Sequence, residues 1–264
     1  MADVLVISGY GINCEAETAH AFERAGARPS IVHINDIISG KSRIGEFDII
    51  VFPGGFSYGD DTGSGSAFAN KIRNNVWDDV KDFISSDKLI LGICNGFQIM
   101  VSLGLFGPQY GVRNCALLAN SQNRYECRWV HIKHRDSRCV FTQGMDRSHV
   151  PVAHGEGRFY CDAETLKSLE SNRQVVFTYC DAFGNEAGGF PDNPNGSLAG
   201  IAGICDKSGR LFGMMPHPER GLYSCNEPEF QWKKEIARRN GLIVRELIES
   251  NFMIFKNAVD FVGR

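Results

Sequence analysis

Among nine cysteines, Cys94 is set apart by its neighbours. The chain there runs Lys88-Leu89-Ile90-Leu91-Gly92-Ile93-Cys94-Asn95-Gly96-Phe97-Gln98. An apolar run of strand length enters Gly-x-Cys-x-Gly, and a stretch with helical spacing leaves it. This is the thiol version of the strand–turn–helix elbow that lifts a nucleophile above a sheet. Glycine on both sides lets the chain bend sharply and removes side chains that would collide across the bend. A cysteine so placed stands at a helix N-terminus, where unpaired N–H groups and the positive dipole end favour the thiolate. The N–H of Asn95 points the same way and can donate to an oxyanion.

Two other segments supply what a thiolate lacks. Phe52-Pro53-Gly54-Gly55-Phe56-Ser57 ends an apolar run in a glycine-rich loop. In a parallel sheet such loops gather beyond the carboxyl ends of the strands, where ligands bind. Gly54 and Gly55 can therefore bring a second backbone N–H to the site. No Lys-Ser or Lys-Thr pair follows, so the loop lacks the mark of a nucleotide phosphate cradle. Downstream, Met215-Pro216-His217-Pro218-Glu219-Arg220 holds a histidine between two prolines. The prolines keep this loop extended, so His217 and Glu219 can face one side and the carboxylate can orient the imidazole. A cysteine nucleophile needs such a partner. Each motif has a plainer structural reading: a core cysteine at a strand end, an ordinary strand-to-loop turn, a histidine fixed in a proline-rich turn. Their occurrence together favours chemistry.

Positioning these residues requires a sheet. Residues 4–7, 30–34, 47–52 and 89–93 are apolar, β-branched runs of strand length, separated by stretches with helical spacing. Asn13 is placed to cap the first helix, with Glu15 and Glu17 in its first turn. Phe68, Ile72, Val76, Val80 and Phe83 recur every three or four residues and predict one apolar stripe on a helix. Nearly all-apolar strands alternating with helices predict a parallel sheet covered on both faces. Farther along, residues 128–132, 150–152, 175–179 and 211–215 read as strands joined by hairpins or short loops. Residues 163–171 read as a helix, and Asp192-Asn193-Pro194-Asn195-Gly196 as a turn. The economical architecture is one α/β domain over residues 1–264. It has a flavodoxin-like, mostly parallel central sheet with helices on both faces, plus smaller antiparallel strand elements.

Composition sets the outer limits. With 264 residues, 43% apolar and 22% charged, the chain is neither disordered, collagen-like nor a small disulfide scaffold. Lys plus Arg is 28 and Asp plus Glu is 31, a net charge of −3 that gives no support for nucleic-acid binding. No apolar run approaches the ~20 residues that span a bilayer, so no membrane partner is expected. The first residues lack a basic region and read as a strand rather than a signal peptide. The cysteines are odd in number, scattered and free of any Cys-x-x-Cys pair, which argues against zinc ribbons and thioredoxin chemistry. Such thiols fit a reducing, cytoplasmic compartment. No metal site is expected.

The elbow, the upstream Pro-Gly-Gly-Phe and the downstream His-Pro-Glu together resemble the class I, triad-type glutamine amidotransferases. More narrowly, the chain is similar to the glutaminase components of phosphoribosylformylglycinamidine synthases. The narrowing residues are Gly11-Ile12-Asn13-Cys14-Glu15, the stretch Pro53 to Asp61, the elbow, His154-Gly155-Glu156-Gly157 and Met215 to Arg220. The resemblance implies Cys94 as nucleophile, His217 as acid and base, and Glu219 as its orienter. Gly55 and Asn95 would supply oxyanion N–H groups, with Gly54 in the same loop. Gln98, Phe56 and Ser57 would line the pocket for L-glutamine, and His154 and Glu156 would lie near it. Asn13, Cys14 and Glu15 would lie at a docking face for a synthetase subunit, with a small accessory subunit in the complex. No cofactor is expected in this chain; ATP and Mg would belong to the synthetase.

After Arg220 the chain departs from shorter family members. Residues 222–249 read as a helical insertion before a closing helix at 251–262. Lys233, Lys234, Arg238 and Arg239 lie close together there, as a solvated face or an added contact with a partner. Other readings keep the elbow and change the reaction. A flavodoxin-like cysteine hydrolase would carry His directly after the elbow cysteine, where this chain has Asn95. An amidotransferase serving guanylate, cytidylate or carbamoyl phosphate synthesis would lack the Phe56-Ser57-Tyr58-Gly59-Asp60 stretch. A non-catalytic regulatory subunit would not need Cys94, His217 and Glu219 intact.

Overall fold

Strands with no polar side chain are stable only where both faces are covered. The computed structural model, which describes residues 1–61 and 63–263, places such strands, Ile49–Phe52 and Leu89–Ile93 among them, in the interior of its sheet. β1 (Asp3–Ser8), β2 (Arg28–His33), β3 (Ile49–Phe52) and β4 (Leu89–Ile93) are connected through α1 (Glu15–Arg24), α2 (Ile34–Ile38), α3 (Ser66–Asn75) and α4 (Trp77–Ser85). Every residue of β3 and β4 is buried. After α5 (Asn95–Leu103) come β5 (Cys115–Ala119), β6 (Glu126–His134), β7 (Arg147–His154), β8 (Glu156–Cys161), α6 (Ala163–Ser171), β9 (Val175–Cys180), β10 (Ile201–Cys205) and β11 (Leu211–Met214). The chain closes with α7 (Phe230–Arg239) and α8 (Glu249–Val262).

The main sheet has nine strands in the order β2-β1-β3-β4-β11-β10-β9-β6-β7. The first five run parallel. The other four join antiparallel, so they extend the parallel core. β5 and β8 form a separate antiparallel pair. The register of β11 on β4 sets Gly213 beside Gly92 and Met214 beside Ile93. The two strands therefore end level, and the segments leaving them emerge side by side.

Three local expectations need correction. α1 starts at Glu15 with Cys14 in the cap position and no side-chain capping bond, so Asn13 is not its N-cap. The Asn13 side chain instead accepts from the Cys14 thiol at 3.4 Å. The stripe from Phe68 to Phe83 is buried throughout but is carried by two helices, broken at Val76 with φ −138°. The Asn75 side chain donates to the Lys71 carbonyl at 2.7 Å, the kind of local bond that competes with helix continuation. The 222–249 segment is only partly helical. α7 buries none of its residues, and the excursion is clasped at its base, where Ser224 N donates to Glu246 O and Ile248 N to Leu222 O, at 2.8 and 2.9 Å. Among the described residues no helix is long and apolar enough to cross a membrane.

Candidate active site

Cys94 occupies the bend between β4 and α5 with φ 50° and ψ −105°, a conformation non-glycine residues adopt only where the surroundings impose it. The surroundings do so. Cys94 N donates to Met214 O at 2.8 Å, and Gln98 N to Cys94 O at 3.1 Å. Gly96 passes so close to β3 that a Cβ there would lie 1.8 Å from the Phe52 carbonyl oxygen. The thiol is buried and points at the Ala153 carbonyl at the end of β7, 3.7 Å away.

His217 reaches the same place from β11. Its N–H donates to Pro151 O of β7 at 2.8 Å, and its ring Nδ1 shares a 2.6 Å hydrogen bond with Glu219 Oε1. Both side chains are buried, at 2% and 4% exposure, and His217 Nε2 and Glu219 Oε2 have no hydrogen-bond partner among the described residues. Burial alone would push the imidazolium down. The Glu219 carboxylate and then the Cys94 and Cys14 thiols outweigh it, and the His217 pKa is held well above the usual histidine value. Both cysteines line the same pocket as the ring. The arrangement is a cysteine, an imidazole able to hold a proton, and a carboxylate that orients it.

The glycine-rich loop after β3 forms the third wall, and the segment after β1 holds it in place. Asn13 N and Cys14 N both donate to Gly54 O, Phe56 N to Gly11 O, and Tyr58 N to Tyr10 O, at 2.7–3.2 Å. Gly55, at φ 153°, is pressed against this segment; a Cβ there would stand 2.7 Å from Gly11 O. Gly54 faces His217, whose Cε1 would be 2.5 Å from an added Cβ. Asn95 opens α5, where an N–H has no acceptor within its own helix.

A pocket of about 300 Å³ joins these groups, lined by Asn13, Cys14, Gly55, Phe56, Cys94 and His217, with Glu17, Tyr125, Ala153 and Arg220 at its other walls. Ser57, Asn95 and Gln98 do not line it. The Asn95 side chain is buried behind the elbow, accepting from Ser57 N at 3.4 Å and donating to Gln98 Oε1 at 2.9 Å. Gln98 in turn donates to the Glu156 carbonyl. Gln98 and Glu156 line a neighbouring hollow of about 240 Å³. His154 is buried beside them and donates from Nδ1 to Asn120 Oδ1 at 3.1 Å. Burial, then the charge of His217, push its pKa down to about 3, so it is a neutral structural ring. A larger hollow of about 540 Å³ is lined only by residues between Ser224 and Glu246 and shares none with the Cys94 pocket.

Sequence reasoning placed Cys14 at a docking face. The structure puts its thiol beside the imidazole and carboxylate, with donor atoms of Cys14, His217 and Glu219 all within 4.8 Å of one another. Burial raises the Cys14 thiol pKa, the nearby His217 opposing it. Tyr125 and Ala153 carry no local motif; only the path of the antiparallel strands brings them to the pocket.

Comparisons with known proteins place the chain in a family. Residues 1–262 match the model of the CobB/CobQ-like glutamine amidotransferase domain. The chain is 66% identical over 265 aligned positions to phosphoribosylformylglycinamidine synthase subunit PurQ of Methanococcus maripaludis strain C7, covering 99% of this chain and 97% of that one. It is 42% identical over 257 positions to the PurQ subunit of Dehalococcoides mccartyi, covering 97% and 95%. Among solved structures it is similar to a chain of PurLQS from Thermotoga maritima, with a TM-score of 0.71, 28% identity and 99% of both chains covered.

Proposed function

The chain belongs to the CobB/CobQ-like glutamine amidotransferase family, and from that premise we propose that it is the glutaminase subunit of a phosphoribosylformylglycinamidine synthase, acting in purine biosynthesis. The carrying observation is the level ending of β4 and β11, from which Cys94 on its bend and His217 of the His217–Glu219 pair come to line one pocket. Full-length similarity to PurQ subunits supports this acceptor over those of the other amidotransferases.

The chemistry is acyl transfer. The Cys94 thiolate attacks the side-chain amide carbon of L-glutamine. We assign the oxyanion to the N–H of Gly55, which lines the pocket, and to the N–H of Asn95, which follows Cys94 at the start of α5 although its side chain lies behind the elbow, one such donor being worth ~2.7–4 kcal/mol in the transition state. Imidazolium His217 gives its proton to the leaving nitrogen as the C–N bond breaks, and ammonia departs. Neutral His217 then takes a proton from water, which attacks the γ-glutamyl thioester. The C–S bond breaks, glutamate leaves, and thiolate and imidazolium are restored. Glu219 keeps the ring oriented throughout. Phe56 lines the entrance, while Ser57 and Gln98 fix the elbow from behind. Glu156 and His154 hold the wall that the thiol faces.

Ammonia passes to a synthetase subunit that converts formylglycinamide ribonucleotide to its amidine, with a small accessory subunit in the assembly, as the PurLQS structure supports. We assign ATP and Mg to the synthetase and no cofactor to this chain. A cytoplasmic location fits the nine free cysteines. The test is co-purification with the synthetase subunit. Wild type supports glutamine- and ammonia-dependent synthesis; Cys94→Ala keeps only the second. Glutamine-dependent synthesis by Cys94→Ala, or failure of the pair to associate, contradicts the reading.

A further inference from the structure

The Cys14 thiol has no part in acyl transfer, yet it is packed against the two residues that assist the nucleophile. Sulfur, imidazole nitrogen and carboxylate oxygen are the three donor types that hold zinc. Here one of each lies within 4.8 Å of the other two, all three residues being buried. Zinc bonds of ~2.0–2.3 Å in a tetrahedron set donor pairs roughly 3.3–3.8 Å apart, so closing the triangle takes side-chain movement of about an ångström.

Glu219 Oε2 is buried without a partner among the described residues, and Cys14 Sγ makes only its long contact to Asn13. The imidazole nitrogen on the Glu219 side is Nδ1, so an ion held with Glu219 takes the place of the proton in the 2.6 Å Nδ1–Oε1 hydrogen bond. The backbone under the donors is fixed by the bonds from Cys14 N to Gly54 O and from His217 N to Pro151 O. Cys14 and His217 line the pocket, which gives an ion its entry path.

We propose that Cys14, His217 and Glu219 form a binding site for a soft divalent cation of the zinc class, and that occupancy silences the enzyme by replacing the Glu219–His217 hydrogen bond that keeps the imidazole oriented and protonated. Ligation releases the protons of the Cys14 thiol and of the imidazolium to water; no electrons move. Three protein ligands leave a fourth position for water. The binding half stands on the donor geometry. The silencing half rests on the role assigned to His217 above.

The test titrates the isolated full-length chain with Co²⁺ as a spectroscopic substitute and competes it with Zn²⁺. Wild type shows a thiolate-to-cobalt charge-transfer band that Zn²⁺ displaces. Cys14→Ser loses that band and binds Zn²⁺ at least tenfold more weakly, whereas Cys94→Ala keeps it. No band in wild type, or one of equal intensity in Cys14→Ser, overturns the site. Should Cys14→Ser fail to fold, peptide mapping after alkylation of wild type decides. Zn²⁺ slows modification of Cys14 and a chelator restores it; an unchanged Cys14 rate overturns the site. Glutamine hydrolysis, assayed in parallel with the synthetase present, separates the two claims. Metal-free wild type that hydrolyses no glutamine sinks the glutaminase reading alone; hydrolysis without a band sinks the cation site alone; and hydrolysis undiminished in cation-saturated protein sinks the silencing.

Discussion

The elbow and the 222–248 excursion are held by opposite means. Around Cys94 the backbone is clamped: Gly96 has no room for a methyl group, the strands on either side are buried, and each loop is tied to its neighbour by main-chain bonds. In the excursion α7 buries nothing, and Trp232 and Ile243 stand 67% and 94% exposed. That excursion is held by its clasp and by Glu227, which shares a hydrogen bond with His149 Nδ1 at 3.1 Å and pairs with Lys233 at 2.8 Å. The lesson is that precision in this molecule comes from backbone register in a buried sheet.

Four changes test this contrast. Glu219→Gln should cut glutamine-dependent kcat on the order of 10²–10⁴-fold, because the imidazole loses the carboxylate charge that holds it as imidazolium and gains an amide that can present a donor to Nδ1. With the carboxylate gone, burial dominates and the His217 pKa falls. The alkaline limb of the pH–rate profile should therefore move to lower pH, and an unmoved limb would mean that Glu219 does not set the charge of His217. Gly96→Ala should destabilise by about 3 kcal/mol, read by urea unfolding, since the new methyl meets the Phe52 carbonyl. A wild-type midpoint would break the clamped picture of the elbow.

His154 sharpens the contrast through pH. Its folded pKa of about 3 lies below the ordinary histidine value of 6.5, so the unfolded chain binds the extra proton between them. Stability then falls as pH falls through that window, by up to about 1.4 kcal/mol per unit from this one group. His154→Gln should lose that share of the slope between pH 6.5 and 4; an identical slope would show the ring to be accessible. The smallest effect belongs to the excursion. Trp232→Ser should change unfolding stability by no more than about 0.5 kcal/mol. A loss as large as that of Gly96→Ala would erase the distinction between the two regions.

Legibility in the sequence divides along the same line. β3 and β4 are apolar on both faces and bounded by glycine or turn signals, so their period and ends could be read directly. The elbow and the His217–Glu219 loop were legible because glycine and proline spacing has a backbone meaning. β5, β8 and β10 were missed. β5 is short and half-buried, β8 alternates with Arg158 and Tyr160 outward, and β10 carries Gly203, which weakens its strand signal. The break at Val76 leaves the hydrophobic spacing intact, so periodicity alone carries no sign of it. Cys14 was visible as a residue but not as a neighbour of His217. Their proximity arises only when the segment after β1 folds over Gly54, a contact between residues far apart in the chain.

The most direct measurement of the central claim uses a glutamine analogue with an alkylating carbon in place of the side-chain amide. After brief exposure, peptide mass mapping should find the label on Cys94 among the nine cysteines, with L-glutamine protecting it and His217→Ala slowing it. Label spread over several cysteines, or found on Cys14 while Cys94 stays free, would contradict the account.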